Sequence, residues 1–293
     1  MAAQKICLGV ETSQDGLKIA LVNPERKHII KVDAIPTSGN SINDISIYVS
    51  VLSSWARSNL LPKISSVAVA FPASNGIMRL VSIPKDAECA LSYVNWEFAS
   101  SINSMPSDYK LVVFFYPNEK HPKHAVAVAM RTKLLDSFNS AELEKSGFKP
   151  NSLASDICAL HNLLECSEGL DSRPKCILKA DEKFISAFWS NESGPVAARL
   201  LPGDNISPNA ILGILESGYK EFPKAKKIVK LCGELCANAE FAKELASLGS
   251  KNGMEIHPWN NLPKFSLEKN TDFSKLSQCM GAIGATLGCT WET

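Results

Sequence analysis

The two halves of the sequence open with the same pattern of strands. Residues 6–11, 17–22 and 28–34 are three apolar or alternating runs joined by short polar turns, which predicts an antiparallel hairpin followed by a third strand. Residues 177–179, 184–189 and 196–201 repeat this arrangement in the second half. Helical patterns follow both openings, and strands that recur with helices are typical of an α/β fold. The pattern therefore predicts an α/β protein of two lobes.

Apolar periodicity predicts the remaining helices and strands. Helices are expected at 42–58, 87–102, 132–145, 153–164, 210–220, 241–248 and 276–287. Strands are expected at 67–71, 78–83, 111–116, 125–130, 227–232 and 254–256. The polar segment 166–174 contains Gly169 and Pro174 and is the best candidate for a linker between the halves.

Composition restricts the class of protein. The 31 Lys and Arg residues are balanced by 30 Asp and Glu residues, so a nucleic-acid binder with an extended basic surface is not expected. No apolar stretch approaches the ~18 residues of a membrane helix, and the first residues do not resemble a secretory signal. These observations favour a cytoplasmic protein.

The cysteines do not indicate a metal or redox site. The nine cysteines are scattered without a CxxC pair, which favours buried free thiols. Cys232 and Cys236 have helical spacing, but no histidine lies near them in the sequence to complete a metal site. We therefore expect no metal centre built from them.

The turn after the first strand of each half is suited to an anion, because backbone N–H groups in a tight turn form a nest and small residues allow close approach. In the first half this turn lies within the run Gly9 to Lys18. Further motifs follow in order, namely Phe71-Pro72, Arg79, Pro84, Trp96-Glu97, Pro106, Ser146 to Pro150, Ala198 to Gly203, Leu231 to Gly233 and Ile256 to Trp259. Their order and spacing resemble the actin-like type IV pilus assembly proteins of the PilM family, relatives of the cell-division protein FtsA. The resemblance covers nearly the whole chain.

The resemblance implies an α/β fold of the actin-like (ribonuclease H-like) kind, with two lobes and an inserted α/β subdomain in the first. It assigns residues 1–36 to the opening of the first lobe, 37–149 to the inserted subdomain, 150–173 to a linking helix and linker, and 174–293 to the second lobe. It also implies a site for ATP with magnesium between the lobes. Such a site needs an acid near the metal, glycine-rich turns at the phosphates and a group that orients the attacking water.

The first nucleotide turn resembles the family's motif but is altered. Glu11 stands where the family has Asp, Ser13 stands where Gly is usual and is followed by Gln14, and Lys18 is retained as a candidate phosphate partner. The alternative is that Glu11 and Lys18 only pair with each other across a hairpin.

The other nucleotide elements depart further from the family. Lys179 and Asp181 replace the two ends of an Asp-x-Gly turn, and Glu182 adds a second carboxylate that would repel a polyphosphate. Of two adjacent glycines on the adenosine side only Gly233 remains. Asp156 stands at the position of the family's acid on the linking helix, where it either orients water as a catalytic residue or caps the helix. The cap is the favoured interpretation.

These changes predict a degenerate ATP site that binds ATP with magnesium weakly or not at all. The resemblance then implies a cytoplasmic scaffold of a type IV pilus or related secretion machine. It would bind the tail of a PilN-like bitopic protein of the inner membrane and reach the membrane only through that partner.

Three questions stay open at this point. The aromatic residues of the insert either line the groove for this tail or pack in the core, and they are Phe71, Trp96, Phe98, Phe114, Phe115 and Tyr116. The alternative function is an active ATPase or small-molecule kinase of the same superfamily, with Asp156 as base. The sequence does not decide whether the chain forms a homo-oligomer or a filament.

Overall fold

The computed structural model describes residues 5–13, 16–37, 44–59, 61–102, 105–115, 124–192, 194–204, 206–269, 271–288 and 291–292. The chain begins with a three-stranded antiparallel meander, a helix and a fourth strand, which are β1 (Cys7–Thr12), β2 (Gly16–Asn23), β3 (His28–Pro36), α1 (Ile45–Asn59) and β4 (Ser66–Phe71). Strands β1 and β2 are buried along their whole length, as a sheet covered on both faces requires. Strand β4 returns parallel to β1 after the helix.

The next segment forms a separate small sheet with its own helices. It comprises β5 (Gly76–Ser82), α2 (Ala90–Ser101), β6 (Tyr109–Phe115), β7 (His124–Arg131), α3 (Thr132–Ser137) and α4 (Ala141–Ser146). The strand order is β5-β7-β6, and all pairs are antiparallel. The single helix expected over 132–145 is wrong, because the hydroxyl of Ser140 accepts a hydrogen bond from the backbone N–H of Leu143 and starts a second helix there.

A short strand and a long helix lead to the second meander. These elements are β8 (Ser152–Ser155), α5 (Asp156–Glu168), β9 (Lys175–Ala180), β10 (Phe184–Asn191) and β11 (Gly194–Pro202). Strand β8 joins the first sheet beside β4, in parallel. Most of its residues were expected at the beginning of the helix over 153–164, so the strand itself was not predicted.

The final segment completes the second sheet and returns to the first. It contains α6 (Pro208–Tyr219), β12 (Ile228–Cys232), α7 (Ala239–Lys251), β13 (Glu255–Pro258), β14 (Ser266–Leu267), α8 (Phe273–Leu276), α9 (Met280–Ala285) and β15 (Trp291–Glu292). The closing helix expected over 276–287 is therefore two short helices. Strands β14 and β15 are edge additions that the sequence analysis did not predict.

The two large sheets share one topology. The first has the order β14-β3-β2-β1-β4-β8-β15, and the second has the order β11-β10-β9-β12-β13. Without its two edge strands, the first sheet matches the second strand for strand, each with an antiparallel meander followed by two parallel strands. The repeated opening predicted from the sequence is thus a repeat of whole sheets. A buried core that includes α5, α9 and inward residues of both sheets lies between them.

The small sheet spans residues 76–131, which is narrower than the insert of 37–149 expected from the resemblance. Strand β4 pairs with β1 and β8, so α1 and β4 belong with the first sheet. The proposed domain boundaries stay a prediction, and the sheet pairing favours an insert that begins after Phe71. Among the described residues, no helix combines the length and apolarity needed to cross a membrane. None of the eight described cysteines forms a disulfide, and Cys289 lies outside the described residues.

Candidate functional site

The ends of the first strands of the two sheets meet in the interior. Glu11 is the last residue but one of β1, and Lys179 is the last residue but one of β9. Lys18 follows the turn on β2, and Asp156 is the first residue of α5. None of these four residues is more than 3% exposed. Four ionisable side chains are thus buried at the junction of the two sheets.

The ammonium of Lys179 is surrounded by carboxylates. Its Nζ lies 2.6 Å from Oε1 of Glu11, 2.6 Å from Oδ2 of Asp156 and 3.2 Å from Oδ2 of Asp181. These contacts join β9 to the first sheet, to the linking helix and to its own turn. A cation with three carboxylate partners at such distances is strongly hydrogen-bonded.

The ammonium of Lys18 makes a second set of contacts beside the first. Its Nζ lies 2.9 Å from Oδ1 of Asp181, 3.3 Å from Oε1 of Glu234 and 3.5 Å from Oε1 of Glu11. Glu11 and Asp181 therefore contact both lysines. We call the connected group the ion-pair clasp, and its members are Glu11, Lys18, Asp156, Lys179, Asp181 and Glu234.

The clasp keeps Lys18, Lys179 and Asp181 ionised. Burial alone would lower the pKa of Lys179, but the carboxylates of Asp156, Asp181 and Glu11 outweigh it and raise that pKa well above its usual value. The same balance, with Asp181 and Glu11 as the main partners, raises the pKa of Lys18. Burial would raise the pKa of Asp181, yet Lys179 and Lys18 hold it well below its usual range. The two lysines are therefore cationic at every physiological pH.

The packing around Glu11 depends on a glycine. A Cβ built on Gly281, in α9, would clash with Oε2 of Glu11, so only a glycine leaves room for this carboxylate. Oε2 of Glu11 and Oδ1 of Asp156 are buried and accept no hydrogen bond from the described residues. The carboxylates are thus satisfied on the side of the lysines and unsatisfied on the other.

The first turn is closed by its own backbone. Both the backbone N–H and the hydroxyl of Ser13 donate hydrogen bonds to the carbonyl oxygen of Gly16, at 3.0 and 3.1 Å. Gln14 lies outside the described residues. Glu11 and Lys18 are directly opposite each other in the β1–β2 register, as the hairpin alternative predicts.

The turn after β12, which the resemblance places on the adenosine side, packs closely against Ala180 at the end of β9. Gly233 has a positive φ of 102°, and a Cβ there would lie within 2.9 Å of three backbone atoms of Ala180. Its N–H donates to the carbonyl oxygen of Ser277, and the N–H of Glu234 donates to Oδ1 of Asp181 at 3.0 Å. Glu234 was not predicted as a site residue, although its position directly after the retained glycine was the available signal.

The interpretation of Asp156 as a helix cap is wrong. Ser155 is the N-cap of α5, and its hydroxyl accepts a hydrogen bond from the backbone N–H of Cys158. Asp156 follows the cap, and its carboxylate accepts a hydrogen bond from Nζ of Lys179. The serine was one residue away from the predicted cap and has the side chain that caps prefer.

A small cavity remains beside the clasp. It has a volume of about 300 Å³ and is lined by Ser13, Gly16, Leu17, Lys18, Ala34, Ile35, Pro36, Glu182, Glu234 and Gln278. Its charged lining residues are Lys18, whose ammonium is already paired, and the carboxylates of Glu182 and Glu234. A polyphosphate in this cavity would meet more negative than positive charge.

The residues of the clasp do not fit magnesium. A metal of this kind needs several free carboxylate or carbonyl oxygens. Lysine ammonium groups contact one oxygen of Glu11, one of Asp156 and both of Asp181, so only Oε2 of Glu11 and Oδ1 of Asp156 remain free, on carboxylates that already carry a cation. Across the part of the chain that the structure describes, no group of three or more His, Cys, Asp or Glu side chains is arranged to hold a metal ion.

The aromatic residues of the expected groove divide into two groups. Phe71 and Phe98 are buried in separate cores, and Phe114 packs against the ring of His161 with centroids 6.0 Å apart. Trp96 is 61% exposed on α2. Phe115 is half-buried, and Tyr116 lies outside the described residues. Core packing therefore accounts for Phe71 and Phe98, while Trp96 is available to a partner.

Comparison with known structures identifies the fold class of this protein. No profile of a protein family matches the sequence, and no curated protein matches it. Solved structures do match over nearly the full chain, and they show that this protein has the actin-like ATPase fold with an inserted α/β unit. The fold predicted from the resemblance is confirmed.

Among these structures is a chain of the PilM–PilN type IV pilus biogenesis complex, which is 18% identical and has a TM-score of 0.70. The match covers 96% of this chain and 97% of that one. The cytoplasmic domain of EpsL, an inner-membrane component of the type II secretion system of Vibrio cholerae, is 12% identical over 98% of this chain and 97% of that chain, with a TM-score of 0.56. The ethanolamine utilization protein EutJ from Carboxydothermus hydrogenoformans is 7% identical over 97% and 89%, with a TM-score of 0.50.

Proposed function

We propose that this protein is a cytoplasmic scaffold of a type IV pilus or related secretion machine, with a nucleotide site that has lost its function. The likeness to the PilM–PilN complex and to EpsL supports the machine, because it extends over nearly the whole of each chain. The scaffold is peripheral to the inner membrane and binds the cytoplasmic tail of a PilN-like protein there.

The ion-pair clasp carries the proposal of a lost site. In an actin-like ATPase the space between the two strand ends would hold a metal and phosphates. Here the ammonium of Lys179 lies 2.6 Å from both Glu11 and Asp156, and Lys18 lies between Asp181 and Glu234. Phosphate and magnesium would have to break buried ion pairs to enter, and each broken pair costs several kcal/mol.

Thermal melting with and without Mg-ATP tests this proposal. A ligand that binds the native state must raise the melting temperature, so we expect no shift at millimolar Mg-ATP. A shift of several degrees with Mg-ATP that AMP and magnesium do not reproduce would overturn the proposal of a lost site. It would leave the scaffold proposal standing, because an ATP-binding scaffold is compatible with the same fold.

The surface for the partner tail is proposed on the small sheet and its helix α2. The exposed large hydrophobic side chains of the described residues are Leu80, Leu91, Trp96, Met105 and Leu200. All but Leu200 lie between residues 80 and 105. Exposed apolar side chains concentrated in one segment are candidates for an interaction surface. A cavity of about 280 Å³ opens beside Met105 between α2 and β6 and is lined mainly by apolar residues.

A titration with a synthetic peptide of the cytoplasmic tail of a PilN-like protein from the same genome tests this surface. We expect binding that the substitution Trp96→Ala weakens about tenfold or more, because truncation of a central interface tryptophan costs ~2 kcal/mol or more. Leu200→Ala is the matched control, since Leu200 is exposed but lies on β11. No binding at high micromolar peptide, or equal loss in both variants, contradicts the proposed surface.

The alternative function is an active ATPase or small-molecule kinase. One observation favours it, namely that Oδ1 of Asp156 is buried and accepts no hydrogen bond from the described residues, as a base waiting for a proton would. The other oxygen of this carboxylate is paired with Lys179 at 2.6 Å. Absence of a melting shift with Mg-ATP excludes this alternative, because either enzyme must bind ATP, whereas a shift has to be followed by an assay of ATP hydrolysis or phosphoryl transfer.

A further inference from the structure

A cluster of basic residues lies at the opposite end of the second sheet from the clasp. Strands β9 and β12 run parallel as neighbours, so the loops before them meet at one edge. Between these loops is a pocket of about 490 Å³. Lys175 at its rim and Lys179 in the clasp are four strand residues apart, which is about 13 Å. The pocket is therefore separate from the nucleotide position.

The charge of this pocket is concentrated. Its lining contains five basic residues, Arg173, Lys175, Lys224, Lys226 and Lys230, and two acids, Glu168 and Asp171, which leaves an excess of three positive charges (5 − 2). The whole chain has a net charge of only +1. A local excess of positive charge attracts anions, so this pocket favours binding of an anion.

Part of the pocket is fixed by its own contacts. The carboxylate of Glu168 lies 2.5 Å from Nζ of Lys230 and 3.6 Å from Nζ of Lys175. Lys175 also donates to the carbonyl oxygen of Gly169 at 2.9 Å, and Lys230 lies over the ring of Trp259 at 5.7 Å from its centroid. These contacts hold two ammonium groups in place on one wall before any ligand arrives.

Two further cations of the pocket are not paired. Lys224 and Lys226 are exposed, and neither forms an ion pair with any residue that the structure describes. Arg173 also lines the pocket and pairs with Asp171 at 2.9 Å on the surface. Pro174 and Ile228 add apolar area to the lining. A compact anion with two or more charges and a small organic part matches this combination of groups.

From this placement we propose that the pocket is a binding site for a phosphate-bearing anion, either a free phosphate compound or the phosphate of a lipid headgroup. Lysines 224 and 226 contact the phosphate, and the wall of Glu168, Lys175 and Lys230 limits its position. The proposal goes beyond the function proposed above and does not depend on it, because the pocket shares no residue with the clasp or with the surface for the partner tail.

Two binding measurements at low ionic strength test the proposal and distinguish the sources. One is calorimetric titration with inorganic pyrophosphate. The other is co-sedimentation with vesicles of phosphatidylglycerol, with phosphatidylcholine vesicles as reference. The variant is Lys224→Glu with Lys226→Glu, and the matched control is Lys243→Glu with Lys251→Glu, two exposed lysines on α7. Both pairs change the net charge equally, and both can be checked for an unchanged melting temperature.

We expect the intact protein to bind in one of the two measurements, with an affinity that falls at least about tenfold in the variant and stays within about twofold in the control. Variant-sensitive binding of pyrophosphate identifies a soluble phosphate compound, and variant-sensitive binding of phosphatidylglycerol vesicles alone identifies a lipid headgroup. Absence of binding in both measurements overturns the proposal. Binding that the variant does not weaken, or that the control weakens as much, overturns it as well.

Discussion

Glu11 and Lys179 occupy equivalent positions in the two halves of the protein, and they are salt-bridged to each other at 2.6 Å. Glu11 is the last residue but one of β1 and faces the third residue of β2, while Lys179 is the last residue but one of β9 and faces the third residue of β10. An acid in one copy of the repeat thus pairs with a base at the same place in the other copy.

Removal of the charge of Lys179 is expected to destabilise the protein strongly. In Lys179→Met, the carboxylates of Glu11, Asp156 and Asp181 lose a shared cation in a buried environment, which costs about 3 to 5 kcal/mol. Urea unfolding at neutral pH measures this loss. Lys243→Met on the surface of α7 is the control, with an expected change below about 0.5 kcal/mol. A loss below about 1 kcal/mol for Lys179→Met would show that the clasp contributes little.

The destabilisation caused by Lys179→Met should become smaller when one of the carboxylates that has lost its cation is also neutralised. We expect Lys179→Met combined with Asp156→Asn to be more stable than the sum of the two single changes by about 1 to 3 kcal/mol, because the residues are in direct contact. A double-mutant cycle from urea unfolding gives this coupling energy. Additive effects would mean that the contact of 2.6 Å between the two groups has no net energetic value.

A methyl group at Gly281 is expected to disrupt the clasp without changing any charge. In Gly281→Ala the new Cβ clashes with Oε2 of Glu11 and displaces a carboxylate that both lysines contact. We expect a loss of about 2 kcal/mol or more by thermal or urea unfolding. Gly213→Ala is the control, because the Cβ at this exposed position of α6 would meet nothing within 4 Å. That change should be neutral or stabilising by up to about 1 kcal/mol, and a similar loss in both variants contradicts the argument.

Stability should fall in mild acid because of a buried histidine. Burial lowers the pKa of His161 from 6.5 to about 4, so the folded protein binds fewer protons than the unfolded chain between these values. The contribution of up to about 3 kcal/mol is fully present above pH 6.5 and is lost as the pH falls toward 4. Urea unfolding from pH 7 to 4 should show a smaller slope in His161→Gln and an unchanged slope in His257→Gln, where the ring is exposed. Equal slopes in all three proteins contradict this prediction.

The fold was largely accessible from the sequence because its strands are short apolar runs with clear turns. The repeated opening of strands is visible in the order of apolar runs and polar turns, and its meaning as a duplicated sheet follows from the order of β1 to β4 and of β9 to β12. The helix over 132–145 was predicted wrongly because the apolar periodicity continues across a break between two helices. Thr132–Ser137 and Ala141–Ser146 share an apolar stripe, and only the cap at Ser140 separates them.

The site was less accessible, because its contacts join distant parts of the chain. Lys18 and Asp181 are 163 residues apart and meet at 2.9 Å. In the sequence, Lys179 and Asp181 stand where the nucleotide turn of the family has an acid and a glycine. In the packed structure the two residues balance each other and the acids of the first turn and the linking helix. Sequence motifs identified the positions, and only the fold could pair them.

Both cations of the clasp are side chains of the protein, so they cannot dissociate from it. The contact between the two sheets at this point therefore does not depend on a binding equilibrium with a ligand. A metal ion or nucleotide leaves when its supply falls, and the joint that it makes is then sensitive to chelators and to the energy state of the cell. A tethered ammonium group cannot be diluted, so its effective concentration is set by the backbone. The joint between β1 and β9 is consequently a permanent part of the architecture.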